Sequence, residues 1–135
     1  MRLKQSFIKT LRDAPGGETA RGAKFLSRAG YVHKELAGVY DYLPLGLRVL
    51  ENIKKIIREE LNRIGGQEIL MTTLQNPELW KKTDRWDIEK MDIWFRTELA
   101  AGGELGLAPT HEEPITEMMK TYIKSYKDLP FSAYQ

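Results

Sequence analysis

At 135 residues, 41% hydrophobic and 30% charged, the chain has the size and composition of about one globular domain, not of a disordered segment. It holds no apolar run near the roughly 20 residues that cross a bilayer and no apolar signal core at its N-terminus. It has no cysteine, which excludes disulfides, thiolate zinc sites and cysteine nucleophiles and fits a reducing, cytoplasmic compartment. The net charge of +2 is uneven: residues 1–63 carry 13 basic and 7 acidic side chains, residues 64–135 carry 8 and 12. A basic half can meet nucleic-acid phosphate, although an ordinary solvated surface is the simpler reading of charge alone.

In chain order, residues 1–22 are expected to form an N-terminal arm. Arg2, Lys4, Lys9 and Arg12 give it some transit-peptide character, but Asp13 and Glu18 follow closely. Residues 13–23, DAPGGETARGA, read as a loop. Short apolar groups broken by Gly30, Gly38 and Pro44 then predict a short helix and one extended piece ending at Leu43-Pro44.

The clearest element runs from Leu45 or Gly46 to Ile64. Leu50, Ile53, Ile57, Leu61 and Ile64 recur on one helical face, and Gly65-Gly66 supplies the left-handed stop. That stripe faces either this chain's core or a partner chain. The alternating, β-branched run QEILMTTLQ predicts one strand. Asn76-Pro77 is a cap followed by a first-turn proline, so NPELWKK opens a helix. Ile93 to Phe95 and ELGLAP, separated by Ala-Gly-Gly, read as a hairpin. Ile115, Met118, Met119, Tyr122, Ile123 and Tyr126 mark a second amphipathic helix closed by Leu129-Pro130, and FSAYQ begins a further strand. An apolar strand is an unusual terminus, which suggests a chain cut inside a strand. The two histidines, His33 and His111, offer no obvious metal site.

LGLAPTHEEP, residues 105–114, concentrates polar chemistry where the hairpin gives way to the second helix. Thr110 and Glu113 match the T-x-x-E capping box, which needs no ligand. Pro114 resists it, because it falls at the fourth helical position, where inward backbone donation begins. A helix capped by Glu113 with Pro114 first is the other possible start. The functional alternative uses Thr110 and Glu112: a hydroxyl and a carboxylate that can both accept from one ammonium group. A helix N-terminus keeps that carboxylate ionised. His111 receives no role, and spacing alone does not choose between cap and grip.

At these residues the chain resembles a known family. LAPTHEEPITEMMKTYIKSYKDLPFSAYQ, LSRAGYVHKELAGVYDYLPLGLRVLENI and REELNRIGGQEILMTTLQNPELWKKTDRW are similar, in this order, to the N-terminal part of the catalytic domain of bacterial-type prolyl-tRNA synthetases. The resemblance implies an α+β fold, the class II antiparallel sheet flanked by helices, incomplete at the C-terminus. It implies that residues 46–74 form a motif 1-like helix and strand that build a homodimer interface, and that residues 105–126 form the T-x-E loop and its helix. In that family proline is activated with ATP and Mg²⁺ to prolyl-adenylate and transferred to tRNA(Pro). Carried over, Thr110 and Glu112 would contact the amino group of proline. Motifs 2 and 3, with their nucleotide-binding arginines, match nothing in 1–135, and Arg96 is not assigned their task. The 135 residues alone are therefore expected to lack catalytic residues, a metal site and activity. Thr72 stands where the family commonly has proline, which bears on interface detail. The alternatives are another class II synthetase, threonyl or seryl, and a non-catalytic dimerisation or tRNA-binding module derived from a synthetase. The threonyl kind places a zinc-binding cysteine near Thr110, which this chain lacks.

Overall fold

In a computed structural model, which describes residues 5–135, the chain divides into two units, Met1–Arg63 and Ile64–Gln135. The division falls where the charge changes sign. Residues 1–4 of the expected arm lie outside the described residues.

In the first unit, helix α1 (Arg21–Arg28) ends as the Ala29 N–H bonds the Phe25 carbonyl at 2.9 Å. The expected single extended piece is instead a hairpin: β1 (Val32–Leu36) pairs antiparallel with β2 (Val39–Tyr42). The reason lies in Gly38, whose φ of 79° makes the reversal possible. The arm docks on this hairpin. Glu18 accepts from the Tyr40 hydroxyl and stands 3.5 Å from the Lys34 ammonium.

Helix α2 (Pro44–Arg63) matches its expected span within a residue or two. Its proline starts the helix, where no N–H is needed. Gly46 is required by sterics, since the Tyr31 carbonyl occupies the place a side chain would take. Outward-facing pairs, Glu51–Lys54 at 3.0 Å and Glu60–Arg63 at 2.6 Å, lace its surface. Its apolar stripe is not buried within the chain. Gly46 is the one fully buried residue of α2, and Ile53 and Ile57 are 50% and 54% exposed.

In the second unit, QEILMTTLQ does not form one strand. It splits into β3 (Gln67–Glu68) and β4 (Leu74–Gln75), because each end has a different partner. The last strand, β7 (Ala133–Tyr134), lies parallel to β3. β4 pairs antiparallel with β6 (Glu104–Leu107), which also pairs with β5 (Phe95–Glu98) in the expected hairpin. The fold is α+β with small, mainly antiparallel sheets. Helix α3 (Pro77–Lys81) starts as its sequence requires: the Asn76 side chain accepts the Glu78 N–H at 3.0 Å.

The core of this unit is made of rings. Trp80 is fully buried and meets Trp94 edge-on, with centroids 4.8 Å apart. Trp86 tilts against Trp94, with centroids 4.7 Å apart. β6 passes beneath them at Gly106, where any side chain would press to within 2.6 Å of the Trp94 ring. Helix α4 (Glu112–Tyr122) is four residues shorter than expected. Ser125 and Asp128 cap a separate turn over Tyr126–Asp128, and this local capping box competes with continuation of the helix.

Candidate functional site

The site is built where β6 feeds α4. The Ala108 N–H bonds the Thr73 carbonyl at 2.8 Å, which fixes the strand exit against the segment between β3 and β4. The chain then turns through Pro109, and Thr110 stands half-buried before the helix.

The T-x-x-E capping box does not form. His111 occupies the cap position with no side-chain bond to the helix. The first helical bond runs from the Ile115 N–H to the His111 carbonyl at 2.9 Å. Pro114 is thereby the third helical residue, one of the positions whose N–H has no partner within the helix, so its missing donor does no harm. A start at Thr110 would have placed it one position too deep, and the start at Glu113 is also not used. Glu113 turns inward. Its carboxylate accepts from Arg85 Nη1 at 2.6 Å and from the Thr83 hydroxyl at 3.2 Å. The Arg85 guanidinium lies 5.3 Å from the centroid of the Trp80 ring, so Glu113 anchors α4 to the aromatic core.

Thr110 and Glu112 are brought together. The Thr110 hydroxyl donates to the Glu112 carboxylate. This bond holds the Glu112 carboxyl below its ordinary value, with help from its own backbone N–H and the Arg85 charge. An exposed carboxylate in the first turn of α4 is thus kept ionised, and the threonine oxygen keeps its acceptor lone pairs.

Both residues line a hollow of about 340 Å³, walled on its apolar side by Ile69, Met71, Ile115 and Ala133. A carboxylate and a hydroxyl at the lip of an apolar hollow suit a small molecule with a cationic nitrogen and an apolar body.

His111, given no role by the sequence, has two specific partners. Nε2 lies 3.2 Å from the Thr72 carbonyl and Nδ1 lies 2.9 Å from Gln135 Nε2. Gln135 Oε1 in turn accepts the Met71 N–H at 2.9 Å. No sequence signal connects these residues, which come from three separate segments. Thr72 adds a local bond, its hydroxyl donating to the Leu74 carbonyl at 3.2 Å. Arg96 lies within the packing of the tryptophan core: it donates to the Trp86 carbonyl and its guanidinium stands 4.5 Å over the Trp86 ring. Among the described residues, no group of three or more His, Asp or Glu side chains is placed to hold a metal ion.

No protein-family model matches the chain. Individual relatives match it along its entire length. It is 46% identical over 138 residues to a proline–tRNA ligase of Thermotoga neapolitana and 47% identical over 137 residues to one of Synechocystis. Each alignment covers 100% of this chain and 23% of the relative, so the chain spans about a quarter of their length. Among solved structures, the prolyl-tRNA synthetase of Giardia lamblia in complex with prolyl-adenylate superposes with a TM-score of 0.67 at 26% identity. That superposition covers 76% of this chain and 22% of the Giardia chain. With such identity along every part of its length, the chain belongs to the family of bacterial prolyl-tRNA synthetases, of which it represents about a quarter.

Proposed function

We propose that this chain is part of a proline–tRNA ligase, and that Thr110 and Glu112 receive the amino group of proline. The enzyme would activate proline with ATP and Mg²⁺ and transfer it to tRNA(Pro). The observation that carries this reading is the identity to such ligases along the whole chain. The chemistry of the hollow agrees with it. The secondary ammonium of proline has two N–H donors, and the ionised Glu112 carboxylate and the Thr110 oxygen are two acceptors. The apolar wall of Ile69, Met71 and Ile115 suits the pyrrolidine ring. ATP would be held by residues outside these 135, whose sequence holds no counterpart of the family's nucleotide arginines.

Two further parts of the reading concern partners. The half-exposed stripe on α2 supports a homodimer formed through residues 46–74. Arg12, Arg21, Lys24 and Arg28 surround a hollow of about 320 Å³ in the first unit, with Asp13 the one acidic lining residue, which supports contact with the tRNA backbone. Among the described residues no helix is long and apolar enough to cross a membrane; the compartment proposed is the cytoplasm.

The test is proline-dependent ATP–pyrophosphate exchange by the complete ligase. Glu112→Gln keeps the shape and removes the charge; the proline KM is expected to rise roughly ten- to a hundredfold, the scale of a hydrogen bond to a charged group. An unchanged KM with normal turnover would show that the pair does not hold proline. The 135 residues alone are expected to give no exchange, and measurable exchange would overturn that part of the proposal.

A further inference from the structure

The hydrogen bonds around His111 form a chain in which every donor meets an acceptor in only one protonation state. The Thr72 carbonyl can only accept, so Nε2 of His111 must carry a proton. The Met71 N–H can only donate, so the oxygen of the Gln135 amide faces it and the amide nitrogen faces His111. That nitrogen can only donate, so Nδ1 must be bare. The ring is therefore held with its Nε2–H on the Thr72 carbonyl and its Nδ1 on the Gln135 side-chain amide. The ionisable neighbours are Glu112 on α4 and Tyr134 on β7; the segment between β3 and β4 brings Ile69, Met71 and Thr72, none of which titrates.

This chain of bonds ties together three walls of the hollow: the β3–β4 segment at Met71 and Thr72, the residue after β7 at Gln135, and the loop before α4 at His111. His111 stands between Thr110 and Glu112 in sequence, so its backbone sets where both acceptors point. Its cap position adds no side-chain bond to the helix, so the ring contributes nothing to capping α4. We propose that His111, held by Gln135 and the Thr72 carbonyl, is a positioning residue that fixes the spacing of Thr110 and Glu112 for an amine ligand. The proposal rests on the reading of that pair as the proline site. It assigns a task to Gln135 as well: its amide is the only side chain of the three bonds that can serve a main-chain donor and an imidazole together.

The test uses the complete ligase and reads the proline KM and kcat of the exchange reaction separately. His111→Phe keeps a ring and removes both bonds; the proline KM is expected to rise about five- to tenfold with kcat for saturating proline unchanged. Gln135→Leu is expected to do the same, and the double variant to be no worse than either single one, because one chain is broken in each case. His111→Gln can still donate to the Thr72 carbonyl, and part of the lost affinity is expected to return. Equal loss of kcat and KM effects that multiply in the double variant, or a fall in thermal stability with KM unchanged, would overturn the positioning role. The two readings fail differently. If Glu112→Gln raises the KM while His111→Phe and Gln135→Leu do not, the proline site stands and the positioning role falls. If Glu112→Gln leaves the KM unchanged, the site itself is wrong and the positioning role falls with it.

Discussion

The two units bury their apolar residues in opposite ways. The first is built around a 20-residue helix whose apolar stripe is half-exposed, and among its described residues the buried side chains are few: Val32 and Ser27. The second has shorter elements, yet three tryptophans close a core in which Trp80 is completely shielded. A long periodic pattern is thus no guide to where a chain is held together. α2 is regular because its local sequence favours a helix; the second unit is organised because distant residues meet on Gly106 and Arg85. The candidate site lies in the second unit, with the buried tryptophans, and the half-exposed apolar stripe lies in the first.

This contrast can be broken experimentally. Trp80→Ala should have the largest effect, about 3–5 kcal/mol of stability, since removing a fully buried indole leaves a cavity beside the Trp94 ring. The measurement is urea unfolding followed by tryptophan fluorescence, and a change below about 1 kcal/mol would mean that the rings are not the core. Ile53→Glu on α2 should leave the stability of the isolated chain within about 0.5 kcal/mol, as for an exposed position. In the complete ligase the same change should shift the sedimentation coefficient from dimer to monomer; a dimer that persists would remove α2 from the interface.

The smallest effect concerns acid. Glu18 is held below its ordinary value of 4.5 chiefly by the Tyr40 hydroxyl; burial opposes this, and the Ala20 N–H and the Lys34 charge add to the lowering. Its folded-state value is depressed, so its contribution is complete above the ordinary value and is lost as pH falls through the lowered one. Tyr40→Phe removes the main cause. The variant should be less stable than the parent at neutral pH, and the gap should narrow in acid, as read by thermal melts between pH 7 and about 3. A gap that is constant with pH would show that Tyr40 acts through packing alone.

Much of the chain could be read from local chemistry. The ends of α2, the Asn76-Pro77 start of α3 and the β5–β6 hairpin follow from caps, prolines and paired glycines that act within a few residues. What was not legible depends on residues far apart. The division of QEILMTTLQ into two strands requires knowing that β7 and β6 are its separate partners. The tryptophans looked like members of a helix and a strand, and nothing local marks them as one cluster. At the site, Pro114 already argued against the capping box, and the structure bears that out; the pairing of Glu113 with Arg85 explains what that glutamate does instead. His111 was passed over because its partners, Thr72 and Gln135, lie 39 and 24 positions away.

The parallel pairing of β3 with β7 also bears on the order of assembly. The β5–β6 hairpin joins neighbouring stretches and can close quickly, whereas β3 must wait for a strand near the other end of its unit. A ribosome would therefore release the three tryptophans and the hairpin that packs on them before Ala133 and Tyr134 arrive to close the far wall of the hollow.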